Sequence, residues 1–217
     1  MQGEGAKRLR VGVFGGTFDP VHMGHLAAAE EARWRVGLDH ILFMPAPRPP
    51  HKPDSVVATA FQRLTMVRRA IASNPMFSVS TLEIERPGPS YTVDTLRALM
   101  TERPDDVFFY LMGSDSLREI PGWREPEVLC GLVTFVVMVR PGWPREAMAQ
   151  WLAGQPRTCR PRVRFVEMPG LAIASADIRR RLGAGQPCRY LLPEGVRAYV
   201  QGRGLYTARR TGEQGRG

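Results

Sequence analysis

Residues 106–113 read DVFFYLMG, an unbroken apolar and aromatic run from Val107 to Met112. A strand with no polar alternation is covered on both faces, which is the environment of a parallel sheet between helices. Comparable runs recur: LRVGVF at 9–14, HILFMPA at 40–46, FSVST at 77–81, LVTFVVMVR at 132–140 and RVRFVEM at 162–168. Helical spacing fills the gaps. Residues 23–36 place His25, Ala28, Ala29, Ala32 and Val36 on one stripe, and Ala60, Leu64, Val67 and Ile71 form a second stripe stopped by Asn74-Pro75. Val93, Leu96 and Met100 mark a third helix after the loop ERPGPS, and helices near 175–182 and 194–201 close the chain. This rhythm predicts an α/β fold: a doubly wound parallel sheet of about five or six strands, helices on both faces, and a small helical C-terminal part. Ligands of such sheets sit beyond the carboxyl ends of the strands. That places the stretch after the first strand, the Pro-rich loop PAPRPPHKPDS after the second and GSDSL after the fourth at the expected site.

The 217 residues fit one domain, assigned to 9–206, with 1–8 and 207–217 as flexible tails; TARRTGEQGRG at the end carries no large apolar residue. Thirty Lys and Arg against 21 Asp and Glu give a formal charge of +9, which favours anionic partners such as nucleotides and phosphates. No RNA- or DNA-binding motif accompanies the charge, so nucleic acid is not an expected partner. Cys130, Cys159 and Cys188 are odd in number and widely spaced, which argues against a disulfide framework or a zinc site. The N-terminus lacks the apolar core of a signal peptide, and no apolar run approaches the ~18 residues of a membrane span. The expected setting is the cytoplasm, away from any membrane.

The chemistry concentrates in GVFGGTFDPVHMGHL, residues 12–26. Gly15 and Gly16, directly after a buried strand, permit a sharp bend and a close approach to the main chain. The next helix aims its unpaired N–H groups at the same spot, making an anion site. A plain tight turn would use the same glycines. The spacing matches neither the dinucleotide nor the P-loop fingerprint. His22 and His25 stand three apart, so both imidazoles can face one point. A metal would need a third ligand, which no His or Cys cluster supplies. Two donors beside a helix N-terminus suit a phosphate whose charge grows in a transition state; capping by His22 and packing by His25 are the alternatives. Asp19, held extended before Pro20, shapes the turn rather than reacting.

GGTFDPVHMGH resembles the HxGH signature of the nucleotidyltransferase superfamily, whose domain is Rossmann-like. Within that superfamily the chain is similar to the bacterial nicotinate mononucleotide adenylyltransferases. The resemblance extends to PPHK at 49–52, GPSYTVDTL at 88–96, GSDSL with Trp123, IASADIR at 173–179, and LPEGVRAYV with LY near the end, so it spans about residues 9–206. It implies that ATP and nicotinate mononucleotide are the substrates, with Mg²⁺ on the triphosphate and no resident metal ligands. It implies further that His22, His25 and Arg179 act on the phosphates, and that Gly15, Gly16, Thr17, Phe18, Gly24, Gly113, Asp115 and Ser175 bind ATP. Asp115, or Ser114 beside it, would equally serve as a helix N-cap. His51, Lys52, Thr92 and Trp123 would bind the mononucleotide. A surface role for His51 and Lys52, and a core or hinge role for Trp123, are the other readings; the loop PGW favours exposure of the ring. Tyr91 is read as a packing residue.

Helical rotation of about 100° per residue keeps Arg179, Arg180 and Arg181 from sharing one phosphate. Ile178 and Leu182 face the core, Arg180 points into solvent, and Arg179 falls at the motif arginine. Ala174 and Ala176 replace hydroxyl residues usual in the family; backbone N–H groups or a neighbouring side chain are expected to compensate. Trp34, Trp143 and Trp151 match no motif and are read as packing residues. Phosphopantetheine adenylyltransferase and a non-catalytic nucleotide- or RNA-binding module are the competing functions. The resemblance brings the preference for the acid over the amide mononucleotide, and the residues leave a homo-oligomer open.

Overall fold

The computed structural model describes residues 8–47, 57–139 and 145–207. Within them the chain runs β1 (Arg10–Gly16), α1 (Met23–Val36), β2 (His40–Pro45), α2 (Ala60–Ile71), β3 (Phe77–Val79), α3 (Leu82–Glu85), α4 (Thr92–Glu102) and β4 (Val107–Gly113). It continues through α5 (Ser114–Leu117), α6 (Pro126–Leu132), β5 (Thr134–Val139), α7 (Arg145–Ala153), β6 (Arg162–Glu167), α8 (Ser175–Gly183) and α9 (Glu194–Gly202). The six strands form one parallel sheet in the order β3-β2-β1-β4-β5-β6. This is the doubly wound, Rossmann-like α/β architecture. The order reverses between β1 and β4, whose carboxyl ends open a crevice.

Alternation along the strands divides the core into two layers. Phe14, Phe109, Leu111, Val136 and Met138 pack with Ala28, Ala29, Ala32, Met66, Val67, Ile178 and Val196 on the side of α1, α2, α8 and α9. Val11, Val13, Phe108, Met112, Phe135 and Val137 pack with Val93, Leu96, Leu129 and Met148 on the side of α4, α6 and α7. Gly12 lies where a methyl group would come within 2.9 Å of Leu38, Ile41 and Leu111, so side chains from β2, β4 and the turn after α1 close tightly on β1.

Several expectations need correction. Trp34 is 78% exposed, because α1 buries Ala28, Ala29, Ala32 and Val36 and turns position 34 to solvent. Tyr91 is exposed, with the Arg124 guanidinium 4.7 Å above its ring. Trp151 does pack against the second layer. Helices α3, α5, α6 and α7 are additions to the elements read from the sequence. Trp143, His51, Lys52 and the two assigned tails, apart from Arg8 and Thr207, lie outside the described residues.

Candidate active site

The bend after β1 is shaped by side chains packed into the space its glycines leave. A Cβ on Gly15 would lie 2.5 Å from the Tyr110 hydroxyl oxygen, and one on Gly16 would lie 2.9 Å from the Phe18 ring. Phe18 is 2% exposed and has φ 51°, a left-handed conformation costly for an aromatic residue. Its ring packs edge-on to Phe14 at 5.4 Å and to His25 at 5.1 Å, forming a floor beneath the imidazoles.

His22 occupies the N-cap of α1, with φ −144° and ψ 172°. Its backbone N–H donates to Nδ1 of His25 at 3.2 Å, and the two rings stack with centroids 3.7 Å apart. With Nδ1 accepting, a neutral His25 carries its proton on Nε2. Gly24 permits this stacking, since a methyl group there would press within 3.1 Å of the His22 ring. His22 thus stands at the cap position, and the side chain that accepts there is that of His25.

Beyond the carboxyl ends of the strands lies a cavity of about 560 Å³. His22, Gly24 and His25 line one side, Gly113 closes the end of β4, and Phe14, Ala28 and Met138 supply an apolar floor. The far wall is the segment from Met168 to Ser175, running from the end of β6 into α8. Ala174 is the N-cap of α8, and no side chain caps that terminus. Ser175 directs its hydroxyl elsewhere, donating to the Pro20 carbonyl at 2.9 Å.

Thr92 and Trp123 meet on the other side of the sheet, around Tyr110. The Tyr110 and Trp123 rings pack edge-to-face at 5.9 Å, and the Tyr110 hydroxyl, beneath Gly15, is hydrogen-bonded to Thr92. Burial pushes the Tyr110 phenol up to about 12, with the Thr92 bond opposing and the Glu83 charge assisting. Glu83 accepts from the Thr95 hydroxyl at 2.9 Å, and Arg86 donates to that hydroxyl at 3.1 Å. Burial raises the Glu83 carboxyl against these bonds. Trp123 is half-buried rather than exposed; its indole N–H is buried and meets no acceptor among the described residues.

Of the three consecutive arginines, Arg180 is the most exposed at 66% of its side chain, against 39% for Arg181 and 21% for Arg179. Arg180 and Arg181 both pair with Asp177. Arg179 turns inward and donates to the Asp19 carbonyl at 2.7 Å, with Nη1 3.9 Å from the Asp19 carboxylate. Thr17 lends its carbonyl to the buried Arg63 at 2.6 Å. Asp115 is exposed in the first turn of α5, and the cap reading of it is corrected: Gly113 is the N-cap, without a capping side chain.

The fold thus gathers His22, Gly24, His25, Gly113 and Ser175 around one cavity, and Thr92 and Trp123 around Tyr110. Gly15, Gly16, Thr17, Phe18 and Arg179 lie in or beside the bend between these groups, and Asp115 stands at the end of β4. Tyr110, Glu83, Arg63 and the wall from Met168 to Ala172 were missed, and Tyr206 was noted only as part of the LY pair, without its partner Asp19. The apolar run containing Tyr110 hid its polar tip, and the other side chains acquire their surroundings only in the folded chain.

The cytidylyltransferase-like family model matches residues 13–181. A protein of Symbiobacterium thermophilum described as a probable nicotinate-nucleotide adenylyltransferase is 48% identical over 91% of this chain and 95% of its own length. A Moorella thermoacetica protein of the same description is 43% identical over 94% of each. Among solved structures, the nicotinic acid mononucleotide adenylyltransferase of Plasmodium falciparum complexed with NaAD superposes with a TM-score of 0.74 at 18% identity, covering 92% of this chain and 98% of that one. That likeness concerns the fold. The chain belongs to the cytidylyltransferase-like family, within its branch of nicotinate-nucleotide adenylyltransferases.

Proposed function

We infer that the chain transfers the adenylyl group of ATP to nicotinate mononucleotide. A 5′-phosphate oxygen of the mononucleotide bonds to the α-phosphorus, the bond from that phosphorus to the pyrophosphate breaks, and nicotinate adenine dinucleotide and pyrophosphate result. The observation that carries this reading is the cavity beyond the strand ends, with a stacked imidazole pair facing an uncapped helix N-terminus. The apolar floor of Phe14, Ala28 and Met138 suits an adenine ring. His25 Nε2–H and the first-turn N–H groups of α8 suit phosphate oxygens, because an unpaired helix terminus favours negative charge. Arg179 carries the positive charge for the departing pyrophosphate. Thr92 and Trp123, across the crevice, suit the pyridine nucleotide.

The chemistry asked of the protein is positioning and charge stabilisation. Among the described residues no group of three or more His, Cys, Asp or Glu could hold a metal. The Mg²⁺ proposed here enters with the triphosphate, keeping phosphate and water ligands. No helix of the described residues is long and apolar enough to cross a membrane; the cytoplasm is the proposed setting.

Steady-state rates with ATP and three acceptors test the reading: nicotinate mononucleotide, its amide, and phosphopantetheine. The expected result is dinucleotide formation with the acid mononucleotide at the highest kcat/KM, and a loss of at least about 100-fold in kcat in a folded His25→Ala. Turnover with phosphopantetheine alone, or near-full activity of His25→Ala, would contradict it.

A further inference from the structure

We propose that Asp19 is a positioning residue for the transfer, its main-chain carbonyl and buried carboxylate together orienting the guanidinium of Arg179 toward the departing pyrophosphate, while the Tyr206 hydroxyl fixes that carboxylate and Arg63 clamps the backbone around it. The proposal rests on the adenylyl-transfer reading and adds to it a device made of residues distant in sequence.

Asp19 is 2% exposed. Its Oδ1 accepts from the Tyr206 hydroxyl at 2.5 Å and from the Ala58 N–H at 3.2 Å, and its Oδ2 accepts from the Val57 N–H at 2.8 Å. Arg63, 0% exposed, donates to the carbonyls of Thr17, Pro47 and Ala58 at 2.6, 2.9 and 3.3 Å. Burial pushes its guanidinium down, and the charges of Asp19 and Tyr206 oppose this. The carboxylate thus offsets a buried arginine, and every segment that holds the pair abuts the bend before His22. A buried charge tolerates this setting only when paired and hydrogen-bonded.

The two arginines beside Asp19 differ in what their donors do. Arg63 spends three nitrogens on backbone carbonyls. Arg179 spends Nη1 on the Asp19 carbonyl, and its side chain remains 21% exposed. Arg63 is a clamp, whereas Arg179 is oriented with donors to spare among the described residues. Two of the three non-glycine residues with positive φ among the described residues adjoin this cluster: Phe18 at 51°, directly before Asp19, and Tyr206 at 63°. Tyr206 is 9% exposed, so the chain accepts a strained backbone to seat its hydroxyl on a carboxylate 187 residues away. Burial, together with donation to Asp19, pushes that phenol far up, keeping it a donor across the working range.

A positioning role predicts coupling to Arg179 specifically. Tyr206→Phe and Asp19→Asn are made alone, in an Arg179→Ala background and in a Trp123→Ala background. For each protein kcat, both KM values, Tm and the ATP Kd by calorimetry are measured. Tyr206→Phe is expected to lower kcat about tenfold and to weaken ATP several-fold, with KM for the mononucleotide within about twofold. In the Arg179→Ala background the same change costs less than about twofold in kcat and in ATP Kd, whereas in the Trp123→Ala background it keeps its full size. Equal losses in both backgrounds, or matched rises of both KM values, overturn the proposal. If Asp19→Asn does not fold, the Tyr206→Phe cycle decides alone, and the calorimetric arm decides where turnover is too slow to measure. A wild-type protein that adenylylates no acceptor refutes the adenylyl-transfer reading, whereas a turning-over wild type with additive variants refutes the positioning role alone.

Discussion

Gly15 shows how a residue's reason for being there can differ from the one its motif suggests. The sequence presents Gly15 as a bend that a ligand could approach, yet on its Cβ side stands the hydroxyl of Tyr110. Gly15→Ala should therefore fail through overpacking and cost about 1–3 kcal/mol of stability by denaturant unfolding. Removing the hydroxyl leaves the next ring carbon 3.2 Å away, so Tyr110→Phe in the same chain should restore about half of that loss. No restoration would place the strain elsewhere. At this scale the sequence reveals what short spacing controls. His22 and His25 are three residues apart, and helical rotation alone separates Arg179 from Arg180. Asp19, Arg63 and Tyr206 leave no such trace. Arg63 reads as one more polar position on an amphipathic helix, and only carbonyls from three separate places in the chain explain its burial.

The helices that carry long periodic stripes were legible; the short ones were not. Helix α1 spans residues 23–36 as its Ala-rich stripe predicts, because fourteen residues give four turns of pattern. Helices α3 and α5 are four residues each, below any periodic signal, and α7 fully buries Met148 alone. Helix α8 was legible in extent, and its uncapped start bears on the alanines that replace hydroxyl residues. Ala174 at the N-cap leaves the first-turn N–H groups without a side-chain acceptor, and Ser175 is committed to Pro20. Those N–H groups are the expected compensation, so Ala176→Thr should change kcat/KM less than tenfold; a larger gain would mean that a hydroxyl is missed. Between β2 and β3, the His40 Nε2 and Ser78 Oγ lie in hydrogen-bond contact at 2.7 Å. Burial, and then the Arg103 charge, lower the His40 pKa below its ordinary 6.5. The unfolded chain thus takes up the proton first as pH falls. The stability linked to neutral His40 is present above about 6.5 and drains away as pH drops toward the folded value. The fall in Tm from pH 7.5 to 5.5 should be smaller in His40→Gln than in the wild type; equal falls would contradict this.

For the molecule as a whole, parallel order converts a string of local signals into one site. The reversal of strand order between β1 and β4 brings the bend, the end of β4 and the start of α8 to one edge, although residues 16, 113 and 175 are far apart in sequence. The rhythm of strands and helices made this sheet legible. Most of the cavity's far wall was not, because the segment from Met168 to Ala172 has no period and belongs to no motif. An excess of nine positive charges fits a molecule that gathers two phosphorylated substrates at such an edge. The central claim is that the triphosphate lies between the imidazole pair and α8. A crystal structure with a non-hydrolysable ATP analogue tests it most directly. The account predicts adenine over Phe14 and Met138, with phosphate oxygens within hydrogen-bond reach of His25 Nε2 and the first-turn N–H groups of α8; a polyphosphate bound away from both would contradict it.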